Sequence, residues 1–163
     1  MSRLGEGGGS LIGRILSLLF PRRSPPAGFT PRSILIIKPC CLGDVLMATA
    51  ALKVLRERFP AAHIAWAIGS WSRPAIATNP KLDELIDGDG LGVGGPFRWN
   101  SYLSLAWQLR RRHFDLALVL DRSPRLTLLP WLGGIAVRAG LDSRGRGFSL
   151  TTRVPCSEDR HEA

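Results

Sequence analysis

The chain has 163 residues and is 45% hydrophobic, with a mean hydropathy of +0.07, which suits a globular domain with a real core and excludes a disordered polymer. Its 22 Lys and Arg against 13 Asp and Glu give a net charge of +9 and a pI near 10.9. Anionic partners are therefore favoured: phosphorylated substrates, nucleic acid or an acidic lipid surface.

Residues 1–32 read as a leader. Gly7-Gly8-Gly9-Ser10 is flexible, and the apolar run that opens at Leu11 and closes at Phe20 can form an amphipathic helix, stopped by Pro21. The run is far shorter than the ~20 residues of a spanning helix. Arg14 interrupts it and no small-x-small cleavage site follows, which argues against a secretory signal. Two readings stand. One is an interfacial anchor with Arg14, Arg22 and Arg23 near anionic headgroups. The other is a loosely ordered terminus or a helix packed on the domain.

The globular region, residues 33–163, opens with Ser33–Ile37, a β-branched run that reads as a fully buried strand. Residues 44–59 read as a helix with Val45, Leu46, Ala48, Leu52, Leu55 and Phe59 on its apolar face, capped by Gly43 or Asp44 and ended by Pro60. His63–Ile68 is a second strand, residues 71–78 a short helix stopped by Asn79-Pro80, and Glu84–Asp87 a third strand. A glycine-rich loop over residues 88–95 leads to a helix over Trp99–Arg112, with Leu103, Ala106, Trp107 and Leu109 on one face. Residues 115–120 form a fourth strand, residues 123–132 a helix with Pro124 in its first turn, and residues 135–139 a fifth strand. After Gly140 the pattern turns polar, basic and loop-like. The alternation of short apolar strands with helices predicts βαβ units on a parallel, Rossmann-like sheet with helices on both faces.

In such a sheet, chemistry collects outside the carboxyl ends of the strands. The first strand ends in Lys38-Pro39-Cys40-Cys41-Leu42-Gly43-Asp44. A carboxylate at Asp44, near the amides of a helix start, can accept a proton from a substrate hydroxyl; the bland alternative is a helix cap. Lys38 could meet an anionic group or pair with Asp44, or be a strand-end lysine reaching solvent. Arg122 and Arg125 lie in Asp121-Arg122-Ser123-Pro124-Arg125 after the fourth strand and could clamp a phosphate or sugar acid, the alternative being solvated loop charge. Arg110-Arg111-Arg112 complements a helix dipole, and Arg144, Arg146 and Arg153 make a basic tail. His63 and His113 read as structural.

The glycine loop formally satisfies G-x-G-x-x-G from Gly90 to Gly95, but Pro96 follows at once, so it reads as a loop without a dinucleotide. Cys40 and Cys41 are adjacent and Cys156 is distant, which offers neither a disulfide framework nor zinc-ligand spacing. They read as reduced thiols in a cytosolic setting, the adjacent pair as apolar packing under the loop. No metal is expected. Charge alone suggests nucleic acid, but no aromatic-basic reader motif supports it.

The segment from Ile34 to Asp44, followed by Val45-Leu46-Met47-Ala48-Thr49-Ala50-Ala51-Leu52, resembles the opening of glycosyltransferase family 9, which includes the ADP-heptose:lipopolysaccharide heptosyltransferases. The similarity continues through Leu55-Arg56-Glu57-Arg58-Phe59-Pro60, Asn79-Pro80, residues 114–121, Arg138-Ala139-Gly140-Leu141 and residues 144–155, ending near His161-Glu162. It covers the amino-terminal half of the family's chain. The resemblance implies a GT-B architecture of two Rossmann-like domains facing a cleft. The amino-terminal domain would bind the acceptor and the carboxyl-terminal one a nucleotide-sugar donor such as ADP-heptose. Asp44 would be the base that activates the acceptor hydroxyl for an inverting displacement with ADP leaving. A phosphorylated, lipid-linked core sugar would suit Arg73, Arg122 and Arg125, with Lys38 and Gly43 also on the acceptor side.

Two departures stand out. Cysteines occupy positions 40 and 41, where serines or other small residues are frequent in the family, and no second strand–helix series is present to hold the donor. The expectation is a chain that does not transfer sugar alone: a truncated, split or decayed copy that needs a separate donor-domain chain, or a non-catalytic acceptor- or partner-binding half-protein. Its expected place is the cytoplasm, at the inner face of the cytoplasmic membrane if the leader is an anchor.

Overall fold

The computed structural model describes Phe20, residues 25–143 and residues 145–155. The expected leader helix, apart from Phe20, lies outside the described residues, as do Arg144, Cys156 and His161-Glu162. Among the described residues, nine regular elements follow in chain order: β1 (Ser33–Ile37), α1 (Leu42–Arg58), β2 (His63–Ile68), β3 (Glu84–Asp87), α2 (Trp99–Arg112), β4 (Leu116–Val119), α3 (Pro124–Leu132), β5 (Val137–Asp142) and β6 (Thr152–Pro155). The strands form one parallel sheet in the order β3-β2-β1-β4-β5-β6, the doubly wound, Rossmann-like arrangement.

The strand period of two explains how one run of isoleucines and leucine builds two cores. Ile34 and Ile36 of β1 join Ile64, Trp66 and Ile68 of β2 on the face covered by α1, through Val45 and Leu52. Leu35 and Ile37 point the other way, with Ala65, Ala67, Ala117 and Val119, into the face covered by α2 and α3. Small alanines in the central strands let those two helices approach. Tyr102, Leu105, Ala106 and Leu109 form the buried stripe of α2, spaced three and four apart. Leu103 and Trp107, expected on that face, are exposed, and Trp107 instead lies beneath the Arg111 guanidinium, 4.6 Å from the ring centre. Leu46 is likewise exposed on α1.

Carboxylates close the amino edge of the sheet. Asp115 Oδ2 accepts the backbone N–H groups of Arg32 and Ser33 at 2.8 and 3.0 Å. Asp83 Oδ2 accepts the Ile64 N–H at 2.7 Å and pairs with Arg56, whose guanidinium also donates to three backbone carbonyls. Glu84 pairs with Arg112 and with His63, one of the two histidines read as structural.

Departures from expectation are largest in three places. The segment over residues 71–78 is reduced to one 3-10 turn, Arg73–Ala75. The fifth strand begins later and runs through Gly140 to Asp142. The stretch expected to be a basic loop contains β6. Its connection is tied down by arginines as well as by the buried Leu150. Arg138 is buried and donates to the carbonyls of Ser149, Ile135 and Ala136, while Arg153 donates to those of Leu150 and Phe148 and faces Asp142 at 3.8 Å. Arg153 is thus part of the fold and not of a solvated tail.

Gly140 allows β4 and β5 to approach: a Cβ there would lie 2.6 Å from the Val119 carbonyl oxygen. Gly140→Ala is expected to destabilise the domain by about 2 kcal/mol through overpacking, measured by urea denaturation. Burial works to raise the pKa values of Asp83 and Glu84, but the Ile64 N–H and Arg56 around the first, and Arg112 and His63 around the second, outweigh it and hold both below their ordinary values. A depressed carboxylate contributes stability at pH above its unfolded value and loses it as pH falls through the folded one. Stability is therefore expected to decline below about pH 4, and Asp83→Asn to flatten that decline in denaturation midpoints measured against pH.

Candidate functional site

The strand order reverses between β1 and β4, so the loops leaving those two strands diverge and open a crevice at the carboxyl edge. Lys38 follows β1 and Asp121 follows β4. Lys38 does not reach solvent: its side chain is 5% exposed. Its Nζ lies 3.0 Å from Asp44 Oδ2 and 3.5 Å from Asp121 Oδ2. The Lys38 carbonyl accepts the indole N–H of Trp66 at 3.1 Å, fixing the backbone where the strand ends. One ammonium thus ties the first helix to the loop across the switch point.

Asp44 is in the first turn of α1, but it is not the cap. The helix starts two residues earlier than expected, at Leu42, and the residue in the cap position is Cys41, with no side-chain cap bond. This frees the Asp44 carboxylate for the crevice. Its side chain is 47% exposed, against 14% for Asp121. An ionised carboxylate offers about four lone-pair directions, so one ammonium on Oδ2 leaves acceptor capacity for a hydroxyl. The acid is neither sealed nor aimed at the amino edge. Gly43 beside it is exposed, with nothing within 4 Å of where a Cβ would sit.

The other expected residues lie at the same edge. Asp121 accepts the Ser123 N–H at 2.8 Å, shaping the turn into α3. Arg122 is half-buried, and Arg125 is exposed with its guanidinium 4.5 Å from the Phe97 ring centre. Tyr102 fixes the Arg125 backbone by donating its hydroxyl to the Arg125 carbonyl at 2.7 Å, and burial raises that phenol to about 12. Arg73 is half-buried in the 3-10 turn after β2.

Beside the crevice, a cavity of about 240 Å³ is lined by Ser70, Asp89, Gly94, Pro96 and Arg98, among others. The Ser70 backbone and hydroxyl, with Arg73 and Arg98 nearby, outweigh burial and hold Asp89 below the usual carboxylate range. The glycine loop forms one wall, with left-handed backbone at Gly90, Gly92 and Gly94. The volume is below the ~300–1,000 Å³ of a complete small-molecule pocket, and the crevice is an open half-cleft. Among the described residues, no group of three or more His, Cys, Asp or Glu side chains could hold a metal ion.

Asp121, the second carboxylate on Lys38, carries no role in the sequence reading. Its signal was positional: it ends β4 as Lys38 ends β1, and those strands are neighbours in this sheet order. The thiols also differ from expectation, because Cys40 is buried and Cys41 exposed.

Replacing Lys38 with Met would leave the largely buried Asp121 without its counter-charge. Lys38→Met is expected to cost about 3 kcal/mol in urea denaturation, with much of the loss recovered by adding Asp121→Asn.

No family model matches the chain. It is 32% identical over 108 residues to lipopolysaccharide heptosyltransferase 2 of Escherichia coli K12, a match covering 66% of this chain and 30% of that protein. It is 31% identical over 114 residues to lipooligosaccharide heptosyltransferase 2 of Haemophilus ducreyi, covering 69% and 32%. The matched region is thus about a third of the length of these relatives. The fold superimposes on the structure of E. coli ADP-heptose LPS heptosyltransferase II with a TM-score of 0.65 and 28% identity, covering 78% of this chain and 36% of that one. On a family 9 glycosyl transferase from Veillonella parvula it gives a TM-score of 0.67 at 22% identity, covering 80% and 38%, a likeness of fold.

Proposed function

From a chain that is glycosyltransferase family 9-like in sequence and fold, we propose an amino-terminal, acceptor-binding domain of an inverting sugar transferase. The observation that carries this reading is the Lys38–Asp44 pair at the switch point, a half-exposed carboxylate held by a buried ammonium. The acceptor hydroxyl would sit against Asp44, which takes its proton as the oxygen attacks the anomeric carbon of the donor. Nucleoside diphosphate would leave with the electron pair of the broken glycosidic bond.

Lys38 is the positioning residue: it fixes the carboxylate without occupying the whole of it. Gly43 leaves the approach to Asp44 open. Arg73 in the 3-10 turn after β2, Arg122 in the loop after β4 and Arg125 in the first turn of α3 lie at the same edge and give the rim a positive potential, suited to a phosphorylated, lipid-linked glycan of the lipopolysaccharide core type. The donor, a nucleotide sugar such as ADP-heptose, would be held by a second domain closing the open side of the crevice, in the same polypeptide or a separate chain. The proposed setting is the cytoplasmic side of a membrane carrying the acceptor. Among the described residues, no helix is long and apolar enough to cross a membrane.

With this domain joined to a donor-binding domain, Asp44→Asn is expected to lower kcat by about 10²–10⁴ while leaving acceptor KM within a few-fold. Unchanged turnover would remove Asp44 from the base role.

A further inference from the structure

The loop that delivers Asp44 carries two adjacent thiols that the transfer chemistry does not use. Their sulfur atoms are 2.9 Å apart. Two elements hold them in that geometry. Cys41 precedes α1 with left-handed backbone, φ 75°, and its carbonyl accepts the Val45 N–H at 2.9 Å, the first bond of the helix. Cys40 is buried against the glycine loop: Gly94 has φ 72°, and a Cβ there would fall on the Cys40 sulfur. The inner thiol is therefore backed by a wall, and the outer one faces solvent.

We propose that Cys40 and Cys41 are a reversible modification site, closing to a vicinal disulfide by exchange with a small-molecule disulfide of the glutathione class. The exposed Cys41 thiolate attacks one sulfur of the reagent, forming a mixed disulfide and releasing one thiolate, which takes up a proton. Cys40 then gives up its proton and attacks the Cys41 sulfur, displacing the second small thiol. The protein loses two protons and two electrons, and the small disulfide takes them up to become two thiols.

Adjacent Cα atoms are about 3.8 Å apart across a trans peptide, below the ~4.4–6.8 Å usual for a disulfide. Such a bond is readily reduced, so the modification reverses. The hydrogen bond with Cys40, then burial, with the negative charges of Cys40 and Asp44 adding and Lys38 opposing, raises the Cys41 thiol to about 11. Exchange should therefore be slow at neutral pH and accelerate nearly tenfold per pH unit below that value. The site does not depend on the sugar-transfer reading.

The test uses the full chain carrying Cys156→Ser, incubated with oxidised glutathione at about pH 8 and about pH 9, then analysed by intact and peptide mass spectrometry. The expected result is loss of two hydrogen masses in the peptide containing residues 40 and 41 and loss of both alkylatable thiols. Closure should be nearly tenfold faster at the higher pH and fully reversed by dithiothreitol. Adding Cys40→Ser should trap the glutathione adduct on Cys41. A stable adduct on Cys41 with Cys40 present, a Cys41-linked dimer, or no reaction at either pH would overturn the proposal.

Discussion

One buried ammonium holds the functional edge of this domain together. Lys38 leaves the end of the central β1 strand and lies within 3.5 Å of two carboxylates, one from the first turn of α1 and one from the loop after β4. Those two segments diverge because the chain turns opposite ways on either side of β1, and the lysine is placed where they part. A charge that deep is tolerated only with partners, and Asp121 supplies the more enclosed of them. Asp44 supplies the more exposed one. The asymmetry matters: Asp121 anchors the ammonium, and Asp44 stays presented to whatever enters the crevice.

The two edges of the sheet make opposite use of their carboxylates. At the amino edge, Asp83 and Asp115 accept backbone N–H groups and are consumed by the fold. At the carboxyl edge, α1 begins without a side-chain cap, although an aspartate is three residues away from the cap position. A helix that takes Asp44 as its cap would gain local stability and lose the crevice-facing acid. The fold instead spends a left-handed, non-glycine residue, Cys41, on the entry to α1. The glycine loop completes the same edge from the other side, packing on Cys40 and walling the neighbouring cavity.

Much of this was legible in the sequence. Strands β1, β2 and β3 and helix α2 are found at their predicted bounds because β-branched runs and amphipathic spacing are set off by Gly, Pro and Asn. The loop bearing Asp44 was legible because a carboxylate follows a buried strand at a helix start. The burial of Lys38 was not, since its partner Asp121 is distant in sequence and meets it only through the β1–β4 pairing. Strand β6 was hidden because its connection is stabilised by the guanidinium groups of Arg138 and Arg153 on carbonyls, an interaction that reads as exposed charge in a one-dimensional pattern. The exposed Trp107 and Leu103 show the same limit: their side of α2 meets no sheet.

The most direct test of the account is a crystal structure of this chain with a phosphorylated sugar acceptor. It should place a sugar hydroxyl about 2.6–3.2 Å from an Asp44 carboxylate oxygen, with the Lys38 ammonium still between Asp44 and Asp121. A sugar bound at the amino edge, or on the outer face of α1 with Asp44 touching no hydroxyl, would contradict it.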